Sequence, residues 1–130
     1  MKLMKLKFYI SLFICLLSIS LVAQEATLKA KVSKNKLGVN QRLRIEFSIN
    51  KQGGDNFSPP NFTNFKVVGG PSQSVSQSWI NGKVTFSQSY TYIIQPKRKG
   101  AFSIASASIK IGGKFIKSEP VKIIVLDAVE

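Results

Sequence analysis

The stretch Arg42-Leu43-Arg44-Ile45-Glu46-Phe47-Ser48-Ile49 decides the fold class. Leu43, Ile45, Phe47 and Ile49 fall on one side of an extended chain, and Arg42, Arg44, Glu46 and Ser48 on the other. A period of two belongs to a strand, because successive side chains of extended backbone point to opposite faces. One apolar and one polar face mark an antiparallel sheet with one side on a core and the other in water.

Outward from that strand the same period recurs. Upstream, residues 27–32 alternate, with Leu28, Ala30 and Val32 against Lys29 and Lys31, and Asn35 to Asn40 supply turn residues. Downstream, Asn50 to Pro60 carries Gly53, Gly54, Pro59 and Pro60 and reads as a connection or a sheet edge, since proline cannot donate to a central ladder. Residues 62–68 form a short strand that Gly69-Gly70-Pro71 should end. A long hairpin follows, with arms 73–80 and 83–95 around Asn81-Gly82, two residues that tolerate the positive φ of a type I′ turn. Its arms are rich in Ser and Gln, so much of the ribbon should be wet; the returning arm turns apolar at Tyr90, Tyr92 and Ile94.

Beyond the polar corner Pro96-Lys97-Arg98-Lys99-Gly100, residues 102–111 form a strand with a register change near Ala105 to Ala107. Gly112-Gly113, a short return at Phe115-Ile116, and a final strand over 121–126 complete the chain. The expected fold is all-β: an immunoglobulin-like antiparallel β-sandwich of seven to eight strands over residues 24–130. A domain of this size buries about 65% of the surface its unfolded chain exposes.

Residues 1–23 differ from this pattern. Lys2, Lys5 and Lys7 precede an apolar run from Phe8 to Leu21, and Ala23 offers a small residue for cleavage. This is the layout of a signal-peptide helix, and the run is short of the roughly 20 residues of a spanning helix. The chain is therefore expected to be exported. Cys15, the single cysteine, lies inside the apolar run after Phe13 and Ile14, which does not fit a lipid-attachment site. Cleavage after Ala23 leaves a domain without cysteine, stabilised by its core alone.

Loss of Lys2, Lys5 and Lys7 lowers the formal charge from +13 to +10. Such a surplus favours anionic surfaces, which for an exported chain are phospholipid, lipopolysaccharide or acidic proteins, with nucleic acid out of reach. Histidine is absent, and Glu25, Glu46, Asp55, Glu119, Asp127 and Glu130 are scattered. No carboxylate pair is spaced for acid–base work, no triad can be assembled, and transition-metal ligands are missing. A Ser-Lys dyad is compatible with composition, but nothing marks one serine above the others. The expectation is a non-enzymatic domain with no catalytic residue, no cofactor, no metal and no small-molecule substrate.

Two features suit binding. Lys97, Arg98 and Lys99 form a cationic corner that is either a contact for anionic headgroups or acidic partners, or a solvated turn. Trp79 beside the Asn81-Gly82 turn is either an interface anchor or packs back on its own strand. Phe57, Phe62 and Phe65 around Pro59-Pro60 fit packing of a loop onto the core better than a ligand stripe.

Several segments together resemble one family. Their order is Phe57-Ser58-Pro59-Pro60-Asn61-Phe62, Phe65-Lys66-Val67-Val68-Gly69-Gly70-Pro71-Ser72, Ser76-Gln77-Ser78-Trp79-Ile80-Asn81-Gly82, Ser89-Tyr90-Thr91-Tyr92-Ile93-Ile94-Gln95-Pro96 and Gly100-Ala101-Phe102-Ser103-Ile104. This series is similar to the amino-terminal domain of BatD, the oxygen-tolerance (aerotolerance) family of Bacteroidota and other bacteria. The resemblance implies an envelope protein with immunoglobulin-like domains facing the periplasm. It also implies work beside other Bat proteins, including von Willebrand factor A-type and tetratricopeptide-repeat members, near a MoxR-type ATPase. Family members are longer, with further β-domains and a carboxy-terminal membrane helix; here the sequence stops at Asp127-Ala128-Val129-Glu130, as a fragment or a short relative would. The expected role is an exported protein-interaction module of such an envelope assembly, on the periplasmic face of the inner membrane or free in the periplasm. The alternative is a stand-alone binder of lipopolysaccharide or anionic lipid.

Overall fold

The structure, a computed structural model, describes residues 25–130; the expected leader over residues 1–23 lies outside the described residues. Ten strands follow one another: β1 (Leu28–Val32), β2 (Lys36–Gly38), β3 (Leu43–Ile49), β4 (Asp55–Ser58), β5 (Phe65–Ile80), β6 (Lys83–Pro96), β7 (Gly100–Ile104), β8 (Ser108–Ile111), β9 (Lys114–Lys117) and β10 (Val121–Leu126). They form an all-β sandwich. One side is a four-stranded sheet in the order β1-β3-β6-β5, and the facing side chains come from two three-stranded sheets, β2-β10-β7 and β4-β8-β9.

The alternation in β3 is realised as expected. Leu43, Ile45, Phe47 and Ile49 are wholly buried, while Arg44 is exposed. Across the ladder Ile45 faces Tyr92 and Phe47 faces Tyr90, so the apolar side of β3 continues into β6. Ile104, Ile109, Ile123 and Val125 close the core from the opposite sheets. Each fully buried Ile, Leu or Phe contributes about 2 kcal/mol of transfer free energy, and that burial holds together a domain without a disulfide.

The strand count exceeds seven or eight for identifiable reasons. Lys36–Gly38, read as part of a turn, pairs with β10, and that pairing is parallel, unlike the other ladders. Asp55–Ser58 becomes an edge strand against β8, consistent with the edge reading of the Pro-containing stretch that follows it. The register change near Ala105 to Ala107 is a change of sheet: β7 pairs with β10, whereas β8 pairs with β4 and β9. Ser118 fastens this crossing, its Oγ accepting the Ala107 N–H at 2.9 Å while its own N–H donates to the Ala107 carbonyl at 3.0 Å.

One expectation is overturned. Gly69-Gly70-Pro71 does not end a strand; β5 runs through it for 16 residues, with its register shifted between Val67 and Ser72 and a cis Gly70–Pro71 bond. Gly70 sits at φ +90°, and a β-carbon there would collide with the Thr91 carbonyl oxygen. Glycine thus permits a bulge where a turn was expected, and proline is tolerated because β5 is an edge strand.

Candidate functional site: the projecting ribbon and its free edge

Asn81 and Gly82 take φ values of 50° and 77°, the positive pair of a type I′ turn, and place Ile80 opposite Lys83. From there the ladder runs Trp79–Val84, Ser78–Thr85, Gln77–Phe86, Ser76–Ser87, Val75–Gln88, Ser74–Ser89 and Gln73–Tyr90. Partners across an antiparallel ladder share a face. The ribbon therefore has two unlike sides. On one, Ser72, Ser74, Ser76 and Ser78 lie opposite Thr91, Ser89, Ser87 and Thr85, and the Ser78 and Thr85 hydroxyls bond to each other. On the other, Val75, Gln77 and Trp79 lie opposite Gln88, Phe86 and Val84, in line with the core residues Tyr90, Tyr92 and Ile94 farther along β6.

The core face of the sheet thus continues past the body of the sandwich. Trp79 is 73% exposed and Val75 64%, with Val84 exposed and Phe86 half-buried. Trp79 does not pack back into cover. An open cleft of about 440 Å³ lies beside the outer half of β6, between it and residues 50–52, lined by Asn50, Lys51, Gln52, Val84, Thr85 and Phe86. Sequence reading singled out Trp79 and missed Val75, Val84 and Phe86. The signal was available: counting by twos from Tyr90 through Gln88 and Phe86 to Val84, then across the turn, aligns all of them.

The basic corner is a separate place. Lys97, Arg98 and Lys99 are exposed between β6 and β7. The Arg98 guanidinium donates to Asn64 Oδ1 at 3.1 Å and lies 5.5 Å from the centre of the Phe102 ring, while the Lys97 backbone N–H donates to the Asn64 carbonyl. Lys99 pairs with Asp127 at 2.7 Å, both well exposed, so that bond contributes little. Two of the three cations are thus engaged by the domain's own side chains.

The aromatic residues near Pro59-Pro60 pack inward. Phe57 stacks on Tyr90, Phe62 lies 5.6 Å from Tyr92, and Phe65 is buried with its ring edge-on to Phe102. Burial, with Tyr90 beside it, pushes the Tyr92 phenol above its ordinary value. Among the described residues no group of three His, Cys, Asp or Glu is placed to hold a metal ion, and no helix is long and apolar enough to cross a membrane.

This ordered set of strands, with the Pro-Pro edge, the Gly-Gly-Pro bulge and the Asn-Gly ribbon, matches the family model described as "BatD DUF11 like domain" over residues 30–125. The chain belongs to the BatD family. The match covers β1 to β10 nearly end to end, so the ribbon and both edges of the four-stranded sheet fall within the BatD domain. No curated protein and no solved structure matches the chain.

Proposed function

We propose that this BatD domain is a non-enzymatic, exported protein-interaction module of an oxygen-tolerance or envelope-stress assembly, and that it meets its partners through the β5–β6 ribbon. The observation that carries the reading is the apolar side of the ribbon. Val75, Trp79 and Val84 lie in one line on a strand pair held clear of the core, where an aromatic anchor flanked by aliphatic side chains suits a protein surface. Its partners, on family membership, are other Bat proteins of the periplasmic side of the inner membrane.

A photo-crosslinking amino acid placed at Trp79 of the full chain, in its native cells, tests this. Adducts to Bat-type envelope proteins, identified by mass spectrometry, are expected. The reading is overturned if Trp79 yields no more adducts than the same group at exposed Lys122, on the far sheet.

A second reading, binding to lipopolysaccharide or anionic lipid, draws support from another place than the corner. Lys29, Lys31, Arg44 and Lys66 share the solvent face of the four-stranded sheet, interrupted by Glu46. Binding to anionic vesicles that weakens steeply with salt, and that falls when Lys29 and Lys31 become Gln, would favour it. Loss on changing Lys97, Arg98 and Lys99 to Gln would return the contact to the corner.

A further inference from the structure

We infer that the free edge of β5 pairs with the β5 edge of a second copy of this chain, joining two four-stranded sheets into one across a two-fold axis at Gln77. The argument begins at the turn. Ile80 and Lys83 are the first and fourth residues of the turn and so form a hydrogen-bonded pair. Bonded and non-bonded pairs alternate along an antiparallel ladder, so Ser78, Ser76, Ser74 and Ser72 spend their backbone groups on β6. Gln73, Val75, Gln77 and Trp79 therefore turn their N–H and C=O groups to the open side, where β5 has no neighbouring strand.

Such a row is a template for strand addition, and proteins commonly guard it with charge. Apart from the five-residue β7, which carries no charge, the other edges here follow that practice: β1 carries Lys29 and Lys31, β2 Lys36, β4 Asp55, and β9 Lys114 and Lys117. Ser72 to Ile80 is different, with no charged residue in nine. An acidic strand would find no cation on this row to match. A second copy meets no like charge there, although each domain carries a large positive surplus.

The register is also self-complementary. With Gln77 opposite its counterpart, Val75 lies opposite Trp79 of the second copy on the apolar side, and Ser76 opposite Ser78 on the hydroxyl side. An aromatic–β-branched pair and a hydroxyl pair are favourable cross-strand neighbours. The three central pairs, at 75, 77 and 79, are the hydrogen-bonded ones, which the outward groups require. Moving the axis to Val75 would set Pro71, with no N–H to give, opposite Trp79. This contact goes beyond the partner reading above and uses the backbone edge, whereas that reading uses the apolar face.

Gln77→Cys tests it, in the full chain with Cys15→Ala to remove the native thiol. Bonded antiparallel residues sit about 5.5 Å apart at Cα, within the range a disulfide spans. Mild oxidation should give a covalent dimer from Gln77→Cys much faster than from Ser103→Cys on the β7 edge. A mixture of Ser76→Cys and Ser78→Cys should link more than either alone. The uncrosslinked protein should show a concentration-dependent dimer in sedimentation velocity, and Gln77→Lys should abolish it. The inference is overturned by a monomer at all concentrations with Gln77→Cys linking no faster than Ser103→Cys, by faster linking of Val75→Cys to itself, or by disulfides from Gln77→Cys to foreign chains in place of itself. A failure here leaves the Trp79 crosslinking result free to stand or fall by itself.

Discussion

The Phe57 ring lies flat on Tyr90, with centroids 4.0 Å apart and planes 3° from parallel, and it also approaches the buried Phe47 at 5.8 Å. This contact ties the edge strand β4 to the centre of the four-stranded sheet. Phe57→Ala should destabilise the domain by about 2–3 kcal/mol, less than a fully buried Phe would, because the ring is half-buried. Urea unfolding followed by far-ultraviolet circular dichroism measures this. A lowered midpoint with unchanged slope is the expected form, and an unchanged midpoint would show that the stack carries no weight.

Two glycines with positive φ should respond differently to alanine. At Gly70 the added carbon meets the Thr91 carbonyl as well as an unfavourable φ, so Gly70→Ala should cost about 3 kcal/mol or more. At Gly82 nothing lies within 4 Å, and only the left-handed backbone is penalised, by about 1 kcal/mol. Thermal melts of the two variants should separate clearly; equal losses would mean the bulge relaxes around the new side chain.

Ser118 is buried and supplies a hydroxyl to the Ala107 N–H. Ser118→Ala leaves that N–H without its acceptor where the chain crosses between sheets. A loss of about 1–3 kcal/mol is expected. Hydrogen exchange at the Ala107 amide should accelerate more than at Ile45 in the core. Equal acceleration at both sites would point to a global loss of stability with no local opening.

Tyr92 makes stability depend on alkaline pH. Its phenol is raised by burial and by Tyr90, so the folded state keeps the proton at a pH where the unfolded chain, near 10.0, has already lost it. The stabilisation is therefore present below pH 10 and declines as pH rises from there through the folded value. Tyr92→Phe should flatten this alkaline decline and leave stability at neutral pH nearly unchanged. Phenolate absorbance against pH, together with denaturation at each pH, checks both parts.

Much of this protein was legible from residue types alone. The alternation in residues 43–49 assigned an all-β fold and named four core side chains, because a pleated strand offers only two faces and water selects between them. Asn81-Gly82 located the ribbon tip, since few residue pairs accept two consecutive positive φ values. The ordered motifs from Phe57 to Ile104 indicated the family that the full-domain match shows. Local pattern did not indicate how Gly69-Gly70-Pro71 behaves, because whether glycine turns a chain or bulges it depends on the strand beside it. Nor did it indicate that β7 and β8 part into different sheets. The free edge of β5, the exposure of Trp79 and the engagement of Arg98 and Lys99 were decided only by the tertiary structure. Each depends on which strands, distant in sequence, come to lie side by side, and a period of two is silent about that choice.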